Sequence, residues 1–96
     1  MVVVWSLQAK AALRQVFTYI SADSLQNANK VVADLLYHAD KLADHPEFYP
    51  PDKYKNNNDG SWRAFEIHRY RLSYRIKGEQ IRVIRLRHTS MSPLKY

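Results

Sequence analysis

The spacing of apolar residues at the start of the chain predicts a short strand followed by a helix. Val2 to Trp5 form a β-rich run without alternation, which indicates a strand buried on both faces. Ser6 is a predicted helix N-cap, because a serine hydroxyl can accept a hydrogen bond from the first helical turn. Apolar residues then recur at steps of three and four, as on one side of an amphipathic helix. This stripe consists of Ala9, Leu13, Val16, Phe17 and Ile20.

A second amphipathic helix is predicted after a break at residues 21–24, with Asp23 or Ser24 as its N-cap. It should end at His45-Pro46, since a residue before proline avoids the helical region. Two helices joined by so short a turn predict an antiparallel helical hairpin. The apolar stripe of the second helix consists of Ala28, Val32, Leu35, Ala39 and Leu42.

The polar segment PEFYPPDKYKNNNDGS, residues 46–61, has the prolines, asparagines and Asp-Gly pair typical of a loop. An irregular segment of this length in a small domain is either mobile or used for binding. Phe48, Tyr49 and Tyr54 are candidates to pin it to the rest of the molecule.

From Trp62 onward the apolar period changes to two, which predicts an antiparallel meander of three strands with turns at His68-Arg69 and Lys77–Glu79. We expect the helices to cover one face of this sheet and to leave the other face open to an anionic partner. In the middle strand the covered face carries Tyr70, Leu72, Tyr74 and Ile76, and the open face carries Arg71, Ser73, Arg75 and Lys77.

The element order is therefore strand-helix-helix-strand-strand-strand. This order predicts an α+β fold in which a helical hairpin packs on a curved, mainly antiparallel sheet. Residues 1–96 correspond in length to a single domain. The pattern does not place the first strand within the sheet.

Positive charge is concentrated in the last third of the chain. Residues 1–60 carry six basic and seven acidic side chains, whereas residues 61–96 carry nine basic and two acidic ones. Such a surface attracts phosphate backbones or an acidic protein. The alternative is that this charged face binds no partner, is solvated and only keeps the protein soluble.

The same sequence excludes several other classes of function. It has no cysteine, and therefore no disulfide framework or thiolate metal site. Its four histidines are scattered, and two glycines cannot build a phosphate-binding loop, so we expect neither a metal nor another cofactor. No apolar run reaches the ~20 residues of a membrane span, and no secretory signal is evident. A cytoplasmic protein without membrane contact is expected.

Several ordered segments together resemble the RelE/ParE superfamily of toxins from bacterial type II toxin–antitoxin modules, which include plasmid stabilisation systems. They are the opening strand with its WS and alanine-rich helix, FTYI, LADHP, Arg63 after the polar loop, YRLSYRI and IRVIRLRH. The resemblance covers nearly the whole chain and implies growth arrest as the cellular effect. It also implies a cognate antitoxin as partner, in a toxin–antitoxin hetero-oligomer or beside a toxin homodimer.

The RelE-like branch of this superfamily cleaves messenger RNA on the ribosome without a metal. By position, Arg71 matches a phosphate-stabilising arginine of that branch, and Tyr96 lies where the branch has a reactive aromatic residue. His88 is a candidate acid or base, because the ordinary pKa of histidine is about 6.5. However, Ser90 and Met91 stand where that branch carries a second arginine.

The ParE-like branch inhibits DNA gyrase by binding, and the two well-formed helices favour it. A plain basic module that binds nucleic acid remains a third possibility, with Trp62 and the tyrosines stacking on bases. In each case the candidate residues for contact with a nucleic acid or target are Arg63, Arg69, Arg75, Arg85, Arg87, Lys53 and Lys55.

Overall fold

A computed structural model describes all 96 residues of the chain as two helices and one four-stranded sheet. The elements are β1 (Val2–Trp5), α1 (Leu7–Ser21), α2 (Leu25–Lys41), β2 (Trp62–Ile67), β3 (Tyr70–Lys77) and β4 (Gln80–His88). Their order confirms the predicted α+β fold. The strands lie in the order β1-β4-β3-β2, with β1 parallel to β4 and the other pairs antiparallel.

Both helices begin at a serine that caps the first turn. The hydroxyl of Ser6 accepts a 3.0 Å hydrogen bond from the backbone N–H of Ala9, and Ser24 does the same for Asn27. Each bond satisfies an N–H group that has no partner inside the helix. The buried residues of α2 are Ala28, Val31, Leu35 and Ala39. The predicted stripe is therefore confirmed, except that Val31 takes the place of Val32.

The prediction that β1 is buried on both faces is wrong, because β1 is an edge strand. It pairs only with β4, and Val3 lies beside Ile81. Val2 is 61% exposed and Val4 is 40% exposed. Val3 and Trp5, which point the other way, pack against the core. An uninterrupted apolar run indicates a strand, but it does not reveal that one face of that strand has no covering element.

The helical hairpin covers one face of the sheet and forms a single buried cluster with it. Leu72 and Tyr74 of β3 lie in this cluster with Val31 and Leu35 of α2, as the alternation in β3 predicts. Tyr74 is fully buried, and its hydroxyl donates a 2.8 Å hydrogen bond to the carbonyl of Pro46. Burial raises the pKa of Tyr74 to about 12, so this hydroxyl remains neutral in the core.

A β-bulge in β4 decides which of its arginines face away from the helices. Ser73 lies opposite Arg85 whereas Tyr74 lies opposite Val83, so Ile84 is an extra residue in β4. Without the bulge, strict alternation through Val83, Ile84 and Arg85 would place Arg85 on the same side as Val83, in the core. The bulge instead puts Arg82, Arg85 and Arg87 on one face and Ile81, Val83 and Leu86 on the other.

The turn between β2 and β3 is tight although it contains no glycine. His68 and Arg69 have φ angles of 51° and 66°, and two successive positive values are typical of a type I′ hairpin turn. The predicted turn position is confirmed. His68 also contacts Asp34 of α2 through a 2.6 Å side-chain pair, which ties the turn to the helical hairpin.

We predict that Arg69→Gly stabilises the protein by about 0.5–1 kcal/mol, because glycine adopts the positive φ of this position without the strain that a side chain imposes. Urea unfolding of the two proteins measures the difference. Gly78→Ala is the control in the opposite direction: Gly78 has a φ of +58° in the turn between β3 and β4, and its replacement should lower stability. A lower urea midpoint for Arg69→Gly would show that its side chain contributes more than the strain costs.

Candidate functional site

The sheet face opposite the helices, here called the cationic face, carries Arg71 and Arg75 of β3 with Arg82, Arg85 and Arg87 of β4. The expectation that this face is open is wrong at Arg71, Arg75, Arg85 and Arg87, which are partly buried, whereas Arg82 is exposed. The loop after α2 pairs with the edge of β2, where Pro51 lies beside Arg63, and its Asp52 and Tyr54 then contact Arg71 on the cationic face. Residues 89–96, here called the covering segment, return across the β4 side of this face. Strand alternation shows where side chains point, but not which later segment lies on them.

A buried carboxylate at Asp52 holds these two coverings together. Asp52 is only 2% exposed. Its oxygens accept hydrogen bonds from the hydroxyl of Tyr96 at 2.6 Å, the guanidinium of Arg71 at 2.7 Å and the backbone N–H of Tyr54 at 3.1 Å. Burial alone would raise the pKa of Asp52, but these three donors outweigh it and leave the pKa below its usual value. The carboxylate is therefore charged at neutral pH.

Arg71 is neutralised by the chain itself. Besides the bond to Asp52, its second terminal nitrogen donates to Glu66 at 2.8 Å, and the side chain is 19% exposed. Its Nε is buried without a partner, and the guanidinium lies 4.8 Å from the ring centre of Tyr54. Burial tends to lower the pKa of Arg71, yet the bonds to Asp52 and Glu66 raise it, so the guanidinium remains charged. Two carboxylates on one guanidinium leave no net positive charge at this position.

The covering segment is anchored by Tyr96. Its backbone N–H donates to the carbonyl of Tyr54 at 3.0 Å, and its carbonyl accepts from the N–H of Asn56 at 2.6 Å. The ring lies between two cations, with the guanidinium of Arg85 at 4.5 Å and the ammonium of Lys55 at 5.5 Å from its centre. Burial, reinforced by the bond to Asp52, raises the pKa of Tyr96 to about 12. The hydroxyl therefore stays protonated and acts as a donor.

A small cavity of about 60 Å³ remains between the covering segment and the sheet. Arg71, Arg85 and Arg87 border it from the sheet, and Pro93, Leu94 and Tyr96 border it from the segment. Asp52 and Glu66 also line the cavity, so cations and carboxylates share it. It has room for a few water molecules, not for a nucleotide.

A comparison with protein families identifies the family of this chain. A family model described as the ParE toxin of the type II toxin–antitoxin system, parDE, matches residues 3–93. The chain belongs to the ParE toxin family. No curated protein matches this ParE-family chain at a significant level of similarity. No helix of this toxin is long and apolar enough to cross a membrane.

The fold of this ParE-family toxin is also similar to a solved structure from the chromosomal ParDE toxin–antitoxin system of P. aeruginosa. The two chains are 19% identical, and the match covers 92% of this chain and 95% of the other with a TM-score of 0.71. At this level of identity the likeness concerns the fold. It agrees with the predicted order of strands and helices.

The structure brings together only some of the candidate residues of this ParE-family toxin. Arg71, Arg85, Lys55 and Tyr96 meet beneath or beside the covering segment. The ring of His88 lies edge-on against Tyr70 at 5.0 Å, on the helix-facing side, and its Nδ1 accepts from the N–H of Ser90. His88 borders the cavity, but its ring is held by contacts of its own.

The other candidate cations have varied surroundings. Arg63 donates to the carbonyls of Tyr49 and Gly60, at 2.6 and 3.1 Å, and thereby holds the loop before β2. The guanidinium of Arg75 lies 4.7 Å from the ring centre of Trp62, and its Nε is buried without a partner. Lys53 lies over the ring of Tyr54, and Arg69 is exposed in the turn.

Sequence reasoning did not identify Asp52, which organises this side of the toxin. Nothing in PPDKY distinguishes a buried carboxylate from a turn residue, because Asp after proline is common in turns. The two side-chain partners of Asp52, Arg71 and Tyr96, are 19 and 44 residues further along the chain. The only signal in the sequence was indirect: so dense a cluster of arginines requires acidic side chains nearby, but it does not indicate which ones.

We predict that Asp52→Asn lowers the free energy of unfolding by about 2–3 kcal/mol near neutral pH, because it leaves the buried part of Arg71 paired only with Glu66. The loss should depend on pH. A carboxyl with a lowered folded-state pKa contributes fully above its unfolded pKa of about 3.9, and the contribution fades as pH falls through the folded value.

Urea unfolding at about pH 7 and again at about pH 3 tests this expectation, since the two proteins should differ less in acid. Asp23→Asn, a change at an exposed carboxylate in the turn between the helices, is the control and should alter stability little. A constant difference between Asp52→Asn and the unchanged protein across this pH range would contradict the assigned role of the charge.

Proposed function

We propose that this ParE-family toxin arrests bacterial growth by binding and inhibiting DNA gyrase in the cytoplasm, and that a cognate antitoxin neutralises it. The proposal includes a role in plasmid stabilisation, in which loss of the antitoxin releases the toxin. It treats residues 1–96 as one toxin domain. The match of residues 3–93 to the ParE family model supports the gyrase-directed branch over the ribosome-directed one.

The observation that carries this choice is the pairing of Arg71 with Asp52 and Glu66. An arginine that stabilises a phosphate during RNA cleavage must present free N–H groups to the developing negative charge. Here both terminal nitrogens donate to carboxylates, and a phosphodiester at this position would meet two like charges. An inhibitor that acts by binding needs no such free guanidinium.

Ribosome-dependent cleavage of mRNA is the second candidate, because Lys55, Arg71, Arg85 and Tyr96 share one region of the cationic face. Tyr96 would have to act in proton transfer, yet its raised pKa of about 12 and its bond to Asp52 make it a poor base near neutrality. The third candidate, a simple nucleic-acid-binding module, would use Trp62 for stacking. The ring of Trp62 is already covered by Arg75 and Lys55.

We predict that the purified protein inhibits supercoiling by gyrase and leaves mRNA on translating ribosomes intact. Both assays should use the same preparation. Because a basic protein can also coat DNA, relaxation of the same plasmid by a topoisomerase I should proceed unhindered. Leu72→Asp places an unpaired charge at a fully buried position and should unfold the protein. It is therefore the control for inhibition by an unfolded basic chain, and it should not inhibit gyrase.

The outcomes of this experiment separate the candidates. If the unchanged protein cleaves mRNA and the Arg71→Ala variant does not, the protein is a nuclease and the proposal is overturned. Equal inhibition of gyrase and topoisomerase I would indicate DNA coating, as expected of a nucleic-acid-binding module.

We also predict that expression of the toxin alone stops bacterial growth and that coexpression of the adjacent reading frame restores it. The partner should be acidic, because residues 61–96 hold nine basic and only two acidic side chains. Copurification followed by mass measurement gives the composition of the complex, including any toxin homodimer within it. Normal growth in cells that contain soluble, folded toxin would count against the proposal.

A further inference from the structure

Two arginines of β4 hold the covering segment by its backbone. Arg85 donates to the carbonyl of Leu94 at 3.1 Å, and Arg87 donates to the carbonyl of Ser92 at 3.2 Å. The arginines are two residues apart, and so are the carbonyls, in reversed order. The covering segment therefore passes over β4 in the antiparallel sense, with the repeat of an extended chain.

The covering segment is a weak electrostatic match for these arginines. It contains no acidic residue and adds one cation, Lys95. Each guanidinium uses only one of its five N–H donors on a neutral carbonyl. No carboxylate of the chain pairs with Arg85 or Arg87, in contrast to Arg71. A carboxylate would accept two parallel N–H bonds from either arginine, and such bonds are about twice as strong as neutral ones.

The covering segment is also easy to displace. Residues 89–95 are exposed, and only Tyr96 is partly buried. Apart from the contacts with Arg85 and Arg87, the segment is attached through the Tyr96–Asp52 bond and the backbone bonds of Tyr96 with Tyr54 and Asn56. A ligand that satisfies Arg85 and Arg87 better than two carbonyls can compete with this small set of contacts.

We propose that the groove along Arg85 and Arg87 binds an extended peptide with acidic residues at alternate positions, and that this peptide displaces residues 92–96. In an extended chain, side chains two positions apart point to the same side at about 7 Å, which is the spacing of the two arginines along β4. The proposal extends the proposed function, on which it rests, by giving the binding mode of the acidic partner.

A peptide fits this groove better than a nucleic acid does. Binding of nucleic acid draws on some 6–10 phosphate contacts along a basic surface. The run of available cations stops at these two arginines, because the neighbouring Arg71 is already paired with Asp52 and Glu66. Two unpaired arginines in a row match two carboxylates, but they are too few to follow a phosphate backbone.

The test uses two labelled synthetic peptides of equal composition, one with aspartates at alternate positions and one with the aspartates adjacent. Fluorescence anisotropy should show the alternating peptide binding at least about tenfold tighter, and Arg85→Gln or Arg87→Gln should each weaken it about tenfold or more. Arg82→Gln is the matched control, because Arg82 lies exposed on the same face of β4 and bonds only to Gln80. Equal affinity for both peptides, or an equal loss with Arg82→Gln, would overturn the proposal.

Displacement is measured separately by amide hydrogen exchange. Binding of the alternating peptide should expose the N–H groups of Asn56 and Tyr96, which in the free toxin donate to the carbonyls of Tyr96 and Tyr54, respectively. Tyr96→Phe removes the bond to Asp52 but keeps the ring, so it should tighten the peptide several-fold. Binding with both amides still protected would refute displacement.

Two further outcomes complete the design. A single-stranded RNA of equal charge that competes through the same two arginines would point to a nucleic-acid partner instead and would also overturn the proposal. Since peptide affinity is independent of gyrase inhibition, a toxin that binds the alternating peptide but leaves gyrase active would refute the proposed target alone.

Discussion

The buried carboxylate of Asp52 is the interaction on which this side of the molecule depends. One charged group, almost without solvent contact, joins the loop after α2, the middle strand and the covering segment through Tyr54, Arg71 and Tyr96. Desolvating a carboxylate is costly, and the cost is offset only because three donors converge on it. Each donor therefore restrains a different part of the chain. If the carboxylate were lost, the loop and the covering segment would no longer share a fixed point.

Most arginines of the sheet are accommodated by contacts within the chain, of which the pairing of Arg71 with Asp52 is one. Arg71 is neutralised by acids, Arg75 lies on an indole, and Arg63 binds backbone carbonyls. The formal excess of positive charge in residues 61–96 thus overstates the charge available to a partner. The positive charge that remains available is that of Arg85 and Arg87, because these two arginines meet only neutral acceptors. A partner would be selected by the position of its charges rather than by their number.

Much of the fold follows from local pattern, and the exceptions have physical causes. The helices, their serine caps and the turn at His68-Arg69 were predictable because each is set by neighbouring residues. The burial of β1 was mispredicted, since an edge strand differs from a central one only in what lies beside it. The bulge at Ile84 was not predicted, because the sequence of β4 is compatible both with strict alternation and with one extra residue. Asp52 was missed because its partners are distant in sequence.

The bulge and the buried carboxylate act together on the candidate site. The bulge at Ile84 moves Arg85 and Arg87 to the face opposite the helices, and Asp52 then fixes Tyr96 so that the covering segment lies on both arginines. The toxin thus fills its own groove with a chain of strand-like spacing and no acidic side chain. A segment that occupies the groove in this way lowers the apparent affinity of any competitor, because only molecules with an open groove can bind it. Since this reduction is the same for every competitor, a preference for correctly spaced carboxylates would come from the paired N–H bonds that they accept from Arg85 and Arg87, and the closed groove only raises the affinity that any partner needs.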